Sequence, residues 1–273
     1  MISRTSAMDL YAGLRAGPFV IAGPCVLESF ELARDTALVV REAAEAAGIM
    51  AVFKSSYDKA NRSALQGFRG PGLSRGLEWL ARIREESGLP VLTDVHEAQE
   101  VEEVAEVADI LQIPAFLSRQ TSLLLAAGWS GRIVNVKKGQ FLSPWDMGGV
   151  LDKVRSTGNT LLLATERGSS FGYNNLVVDM RSFAVMREFG APVIMDATHA
   201  AQLPGAQGNS SGGDRRHVPS LAKAAVAAGA DGVFLECHPD PAQAKCDGPN
   251  SLHLRDLPGL LKTLAKLWEV CRA

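Results

Sequence analysis

The segment Val52 to Ser63, VFKSSYDKANRS, starts as an apolar run and then breaks into three cations, Lys54, Lys59 and Arg62. Ser55, Ser56, Asn61 and Ser63 lie among them. Cations mixed with small hydrogen-bond donors suit phosphate or carboxylate oxygens. Two further cations, Lys137 and Arg167, follow apolar runs much later in the chain. That separation suggests more than one bound anionic group. Ion pairing of these cations with Asp58, Glu28 and Glu166 would explain them without a ligand. A second constellation is Cys25, His199, Glu236 and Asp247. A thiolate, an imidazole and two carboxylates together suit a divalent transition metal, without fixing which one. Cys25 as a small buried apolar residue and His199 as a hydrogen-bonded core imidazole remain open alternatives.

The elements that must position these residues alternate regularly. Short runs rich in Val and Ile (PFVIAGPC, MAVFKSS, PVLTDVH, ADILQIPAF, RIVNVKKG, NTLLLATERG, APVIMDATHA and DGVFLECHP) read as eight strands. Each is followed by a segment of helical periodicity, such as SFELARDTALVVREAAEAAG with Gly48 as its stop. Eight such units predict a (β/α)8 TIM barrel, in one domain over residues 18–273 behind an N-terminal extension of residues 1–17. The strand ends carry Cys25 and Glu28; Lys54 and Ser55; Asp94 and His96; Gln112; Asn135, Lys137 and Lys138; Glu166 and Arg167; Asp196 and His199; and Glu236 and His238. In a parallel barrel these ends share one mouth. The Gly- and Ser-rich loop QLPGAQGNSSGGDRRHV is expected to be mobile, with Gly208, Gly212 and Gly213 as hinges.

The totals narrow the class. The 273 residues are 47% hydrophobic and carry a net charge of −2, which gives no reason to expect nucleic acid or an anionic membrane as partner. Four scattered cysteines make no disulfide framework. No signal peptide or membrane span is legible, so a cytoplasmic protein is expected. The phosphate-binding P-loop, the dinucleotide G-x-G-x-x-G and the G-x-S-x-G elbow are all missing.

The stretches IAGPCVLES, VFKSSYDKANRS, FRGPGL, TDVHE, QIPAFLSRQT, NVKKGQFLSPWDM, TERGSSFGYNNLVVDMR, DATHAAQLPG and ECHPDPAQAKCDGPNSLHL resemble, in order, the 3-deoxy-D-manno-octulosonate 8-phosphate synthase family. The resemblance implies a homotetrameric TIM barrel. Its reaction condenses phosphoenolpyruvate with D-arabinose 5-phosphate, a step toward the inner-core sugar of lipopolysaccharide. It implies that Lys54 and Lys59 hold the carboxylate end of phosphoenolpyruvate, and Lys137 and Arg167 its phosphate. Asn61, Arg62 and Ser63 would hold the pentose phosphate. Ser55, Asp94 and Gln112 would add polar contacts, and Arg119 would reach a neighbouring subunit's site. Lys59, His199 and Asp247 would serve catalysis. Cys25 resembles the metal-dependent form, with Cys25, His199, Glu236 and Asp247 as ligands of one divalent ion such as Mn, Fe, Zn or Co. CDGP at 246–249 resembles the metal-independent form instead, and Ser122 stands where Asp is common. The rival readings are a heptulosonate 7-phosphate synthase using erythrose 4-phosphate, a Schiff-base aldolase working through Lys54 or Lys137, and a non-catalytic sugar-phosphate sensor.

Overall fold

The structure is a computed structural model that describes residues 5–62, 64–205 and 212–272. Eight parallel strands close into a barrel: β1 (Phe19–Gly23), β2 (Met50–Lys54), β3 (Val91–Asp94), β4 (Ile110–Ile113), β5 (Ile133–Lys137), β6 (Leu162–Glu166), β7 (Val193–Asp196) and β8 (Gly232–His238). Each pairs with the next, and β8 pairs back to β1 with Ile21 opposite Phe234. The predicted fold is therefore correct.

The register joins inward residues to inward residues. Ile21 pairs with Val52, Leu92 with Ile110, Ile110 with Ile133, and Thr165 with Ile194. Side chains two apart on a strand share a face. On seven of the eight strands the apolar inward residue is therefore followed, one step up the barrel, by a polar one; on β1 Ile21 is followed by Gly23. Val52 leads to Lys54, Leu92 to Asp94, Ile110 to Gln112, Ile133 to Asn135 and then Lys137, Leu163 to Thr165, Ile194 to Asp196, and Phe234 to Glu236. The lower interior is a greasy layer and the upper interior is a polar one. The site is thus part of the barrel wall.

The outer faces of the strands pack on the helices. α1 is Ala7–Ala16, α2 Phe30–Ala47, α3 Leu73–Ser87, α4 Val101–Val107, α5 Thr121–Trp129 and α6 Met147–Arg155. α7 is Ser182–Arg187, α8 Ala197–Ala200, α9 Val218–Ala227 and α10 Leu257–Arg272. α2 starts at Ser29, whose hydroxyl accepts from the Leu32 N–H at 3.2 Å, and stops at Gly48 with φ 67°, a conformation that favours glycine. Within the predicted TERG and DATHA strands, regular pairing ends sooner than the apolar runs suggested. His199 lies in the single turn α8 beyond β7, because the Asp196 carboxylate caps that turn by accepting from the His199 N–H at 2.9 Å. The loop after β6 contains a small antiparallel ribbon, Ser169–Ser170 against Leu176–Val177. The expected hinge Gly208 lies outside the described residues, whereas Gly212 and Gly213 pair with Gln202 and Leu203.

Periodicity alone had left residues 1–17 as an extension. In the structure α1 lies across the N-terminal end of the barrel. Leu10, Tyr11 and Leu14 join the inner layer of Phe19, Ile21, Val52, Leu92, Ile110, Ile133, Leu163, Ile194 and Phe234. The Tyr11 hydroxyl donates to the Leu162 carbonyl at 3.0 Å. Leu14 is fully buried, so Leu14→Ala is expected to destabilise the fold by about 2–5 kcal/mol. Urea unfolding checks this: the midpoint should fall at constant m, and a loss well under ~1 kcal/mol would mean that α1 is not a working part of the core.

Candidate active site

Above the apolar layer, a cavity of about 410 Å³ opens at the C-terminal mouth. Its lining includes Lys54, Lys59, Asn61, Arg62, Asp94, Gln112, Lys137, Arg167, His199 and Asp247, ten of the residues singled out in the sequence. Ser55 is buried but does not line it, and its Oγ has no hydrogen-bond partner. Arg119 is exposed and lies outside the cavity of its own chain. Ser63 lies outside the described residues.

The deep cations are paired, though with other carboxylates than those considered from sequence. Lys54 Nζ contacts Glu236 Oε1 at 2.8 Å and donates to the Cys25 carbonyl at 2.9 Å. Lys137 Nζ contacts Asp196 Oδ2 at 2.6 Å and stands 3.8 Å from the centre of the Phe234 ring. Lys59 Nζ is 3.8 Å from Asp94. Asp58 pairs with Arg69, Glu28 with His238 and Glu166 with Lys138. Gly23 permits the close approach of β1 and β2 here, since a Cβ would fall 2.0 Å from the Lys54 carbonyl oxygen.

A hydrogen-bonded belt crosses five strand ends. The Thr165 hydroxyl donates to Asn135 Oδ1 at 2.7 Å, and Asn135 Nδ2 donates to Gln112 Oε1 at 2.8 Å. Gln112 Nε2 donates to Asp94 Oδ1 at 2.5 Å, and the Ser56 hydroxyl donates to Asp94 Oδ2. Every donor points towards Asp94, so its charge fixes both amides. Burial raises the Asp94 pKa, but Lys59, Lys54, His96 and Lys137 outweigh it and hold the carboxyl well below the usual range. Burial lowers the Lys137 and Arg167 pKa values, against the opposing pull of nearby carboxylates. Arg167 Nη2 donates to Gln202 Oε1 at 3.2 Å, whereas Nη1 is buried without a hydrogen-bond partner.

The four predicted metal ligands fall in two adjoining triads that share Asp247, Cys25–Cys246–Asp247 and His199–Glu236–Asp247. The Cys25 Sγ–Asp247 Oδ2 distance is 3.3 Å, and His199 Nε2 is 3.7 Å from Glu236 Oε2 and 3.8 Å from Asp247 Oδ2. Asp196 Oδ2 contacts His199 Nδ1 at 2.7 Å, which turns Nε2 towards the two carboxylates. Burial lowers the His199 pKa, but Asp196 and Glu236 outweigh it and the net shift is upward. Glu236 Oε2 is buried with no hydrogen-bond partner, an orphaned acceptor facing this cluster. An unsatisfied buried carboxylate oxygen beside an imidazole and a second carboxylate, with a thiol 3.3 Å from the latter, is a donor set that a divalent ion satisfies, so these residues fit one. Asp247 adopts φ 49°, unusual for a non-glycine residue, in the loop that brings its carboxylate here.

Sequence reasoning missed several members. Cys246 lies 3.0 Å from Cys25 Sγ, and its only signal was adjacency to Asp247. Gln202 joins Arg167 to Asp247, donating to Asp247 Oδ1 at 3.0 Å, and nothing in AAQLPG marked it. Asp196 and Asn135 were strand-end residues without an assigned role and Thr165 was not singled out, although their two-residue spacing above inward apolar positions could have placed them.

Residues 2–272 match the DAHP synthetase I family, and the chain belongs to it. Within that class the similarity is specific. The chain is 66% identical over 261 residues, 96% of each chain, to a 2-dehydro-3-deoxyphosphooctonate aldolase of Nitratidesulfovibrio vulgaris. It is 56% identical to the proteins of the same name from Trichlorobacter lovleyi, over 93% of each chain, and Stenotrophomonas maltophilia, over 95% of this chain and 94% of that one. Among the described residues no helix is long and apolar enough to cross a membrane.

The belt predicts a pH dependence. Asp94 is depressed in the fold relative to about 3.9 when unfolded, so its stabilising effect is full above that value and is lost as pH falls below it. Asp94→Asn should be less stable than wild type near pH 7, and the gap should narrow as pH drops from about 6 towards 3. Urea midpoints across that range test this; a gap independent of pH would contradict it.

Proposed function

We propose that this cavity condenses phosphoenolpyruvate with D-arabinose 5-phosphate and water, giving 3-deoxy-D-manno-octulosonate 8-phosphate and inorganic phosphate. The observation that carries the reading is the buried, half-unpaired Arg167 guanidinium on the same cavity wall as Lys54, Lys59 and Lys137. Such a group is costly to bury unless an anion completes it. Lys137 and Arg167 bind the phosphate of phosphoenolpyruvate, and Lys54 and Lys59 its carboxylate. Asn61 and Arg62, nearer the rim, take the pentose phosphate together with Ser63. Asp94 and Gln112, fixed by the belt, orient the hydroxyls and the aldehyde between them. Arg119 completes the site of a neighbouring subunit in a homotetramer.

C3 of phosphoenolpyruvate attacks the aldehyde carbon, water adds at C2, and phosphate leaves from C2 with cleavage of the C–O bond. Lys59 stabilises negative charge developing beside it. Asp196 holds His199 so that Nε2 faces the reacting centre, and the Asp247 carboxylate, anchored by Gln202, is the acceptor for the proton of the attacking water. Cys25, His199, Glu236 and Asp247 would hold a divalent ion, which would supply Lewis-acid stabilisation of oxygen-centred charge. Metal affinity falls at low pH, because the thiol and the imidazole must lose protons to ligate.

A phosphate-release assay tests the reaction. Release should require both phosphoenolpyruvate and arabinose 5-phosphate, and erythrose 4-phosphate should not substitute. Efficient turnover of erythrose 4-phosphate would transfer the assignment to the heptulosonate synthase. Arg62→Ala should raise the KM for the pentose roughly ten- to a hundred-fold, from the ~1.5–3 kcal/mol of a charge-assisted hydrogen bond, with little change for phosphoenolpyruvate. Equal losses for both substrates would refute its placement. Chelator should abolish activity and Mn²⁺ or Zn²⁺ restore it, while Cys25→Asn should retain measurable activity that chelator no longer affects. Full wild-type activity after verified metal removal would show that Cys25 is only a packing residue.

A further inference from the structure

We infer that Cys25 and Cys246 form an oxidation site, in which a peroxide joins the two sulfurs into a disulfide inside the active-site cavity. The sulfurs are 3.0 Å apart as free thiols. A disulfide needs about 2.05 Å, so a shift of only ~1 Å separates the two states. Both residues are held from several sides. Cys25 follows β1, where its carbonyl accepts from Lys54 and the next residue, Val26, bridges to Ser56. Cys246 accepts from Arg62 Nη1 at 2.9 Å, and the Lys245 N–H before it donates to Glu28 at 2.9 Å. Both thiols pack with Val26 and Phe68 in a small apolar cluster of their own.

The positions assign the order of events. Cys246 lines the cavity, whereas Cys25 is not part of that lining. A small peroxide entering the mouth therefore meets Cys246 first. The Cys246 sulfur attacks one peroxide oxygen, the O–O bond breaks, and hydrogen peroxide yields a sulfenic acid and one water. The Cys25 sulfur then attacks the sulfenic sulfur, the S–S bond forms, the S–O bond breaks, and a second water leaves. Overall, two thiols and one peroxide give one disulfide and two waters. Arg62 faces the sulfur on which charge changes. Cys237, buried in β8, and Cys271, exposed on α10, have no sulfur partner among the described residues. Closure of the bond removes the Cys25 thiol from the ligand set proposed above. This consequence rests on the metal reading, while formation of the bond does not.

The test uses the full chain carrying Cys271→Ser, treated with chelator, dialysed and then exposed to stoichiometric hydrogen peroxide. Non-reducing peptide mass spectrometry should recover the Cys25 and Cys246 peptides joined and lighter by two hydrogens. Of the three thiols left after that substitution, two should be lost and return on treatment with a phosphine reductant. Recovery of Cys25 and Cys246 as separate thiols, or as separately oxidised acids, overturns the inference. Cys246→Ser in the same background should abolish the joined species; unlinked Cys25 then confirms the pairing, and a link from Cys25 to Cys237 overturns it. A parallel sample saturated with Zn²⁺ separates the two readings. Slower joining supports a metal on Cys25, whereas unchanged joining removes the metal reading and leaves the oxidation site standing.

Discussion

Lys54 and Glu236 are both withdrawn from water and face each other across the top of the barrel. Their 2.8 Å contact spans β2 and β8 at the level where the barrel interior turns from apolar to polar. A buried pair like this is a modest source of net stability, because desolvation offsets much of its attraction, but removing one partner leaves a costly bare charge. The rest of the site repeats that arrangement around the barrel, with Lys137 on Asp196 and Lys59 beside Asp94. The wall tolerates its cations because the same strand ends supply carboxylates.

This balance sets what the cavity can accept. Four deep cations, Lys54, Lys59, Lys137 and Arg167, face four carboxylates, Asp94, Asp196, Glu236 and Asp247. The substrates proposed here bring several negative charges of their own. Arg167 offers an unused donor to an arriving anion, and a divalent ion among Cys25, His199, Glu236 and Asp247 would free cationic charge elsewhere from its internal duty. The two halves of the constellation are thus electrostatically one unit, although they were separate in the sequence.

The barrel was legible because parallel strands covered on both faces are short and apolar, and their helices carry a clear period. Cys25, His199, Glu236 and Asp247, spread over more than two hundred positions, were recognisable as chemistry by residue type and came together only through strand order. Gln202 was invisible, since an amide in a loop has no pattern and its role depends on which groups the fold sets beside it. Cys246 was similarly hidden behind Asp247. The carboxylates weighed as alternative partners, Asp58, Glu28 and Glu166, are not those that pair with Lys54, Lys59 and Lys137, because partners across a closed sheet come from distant parts of the sequence. The N-terminal helix escaped periodicity because only Leu10, Tyr11 and Leu14 of its residues are buried.

That helix backs an interior already filled by the apolar layer, so the cavity stands on a solid floor. With Leu14 and its neighbours beneath that floor, the cavity lined by both Lys137 and Arg62 opens at the C-terminal mouth. Depth is therefore a coordinate of the site: a group at the level of the Phe234 ring meets the buried Lys137, and a group at the rim meets the more exposed Asn61 and Arg62.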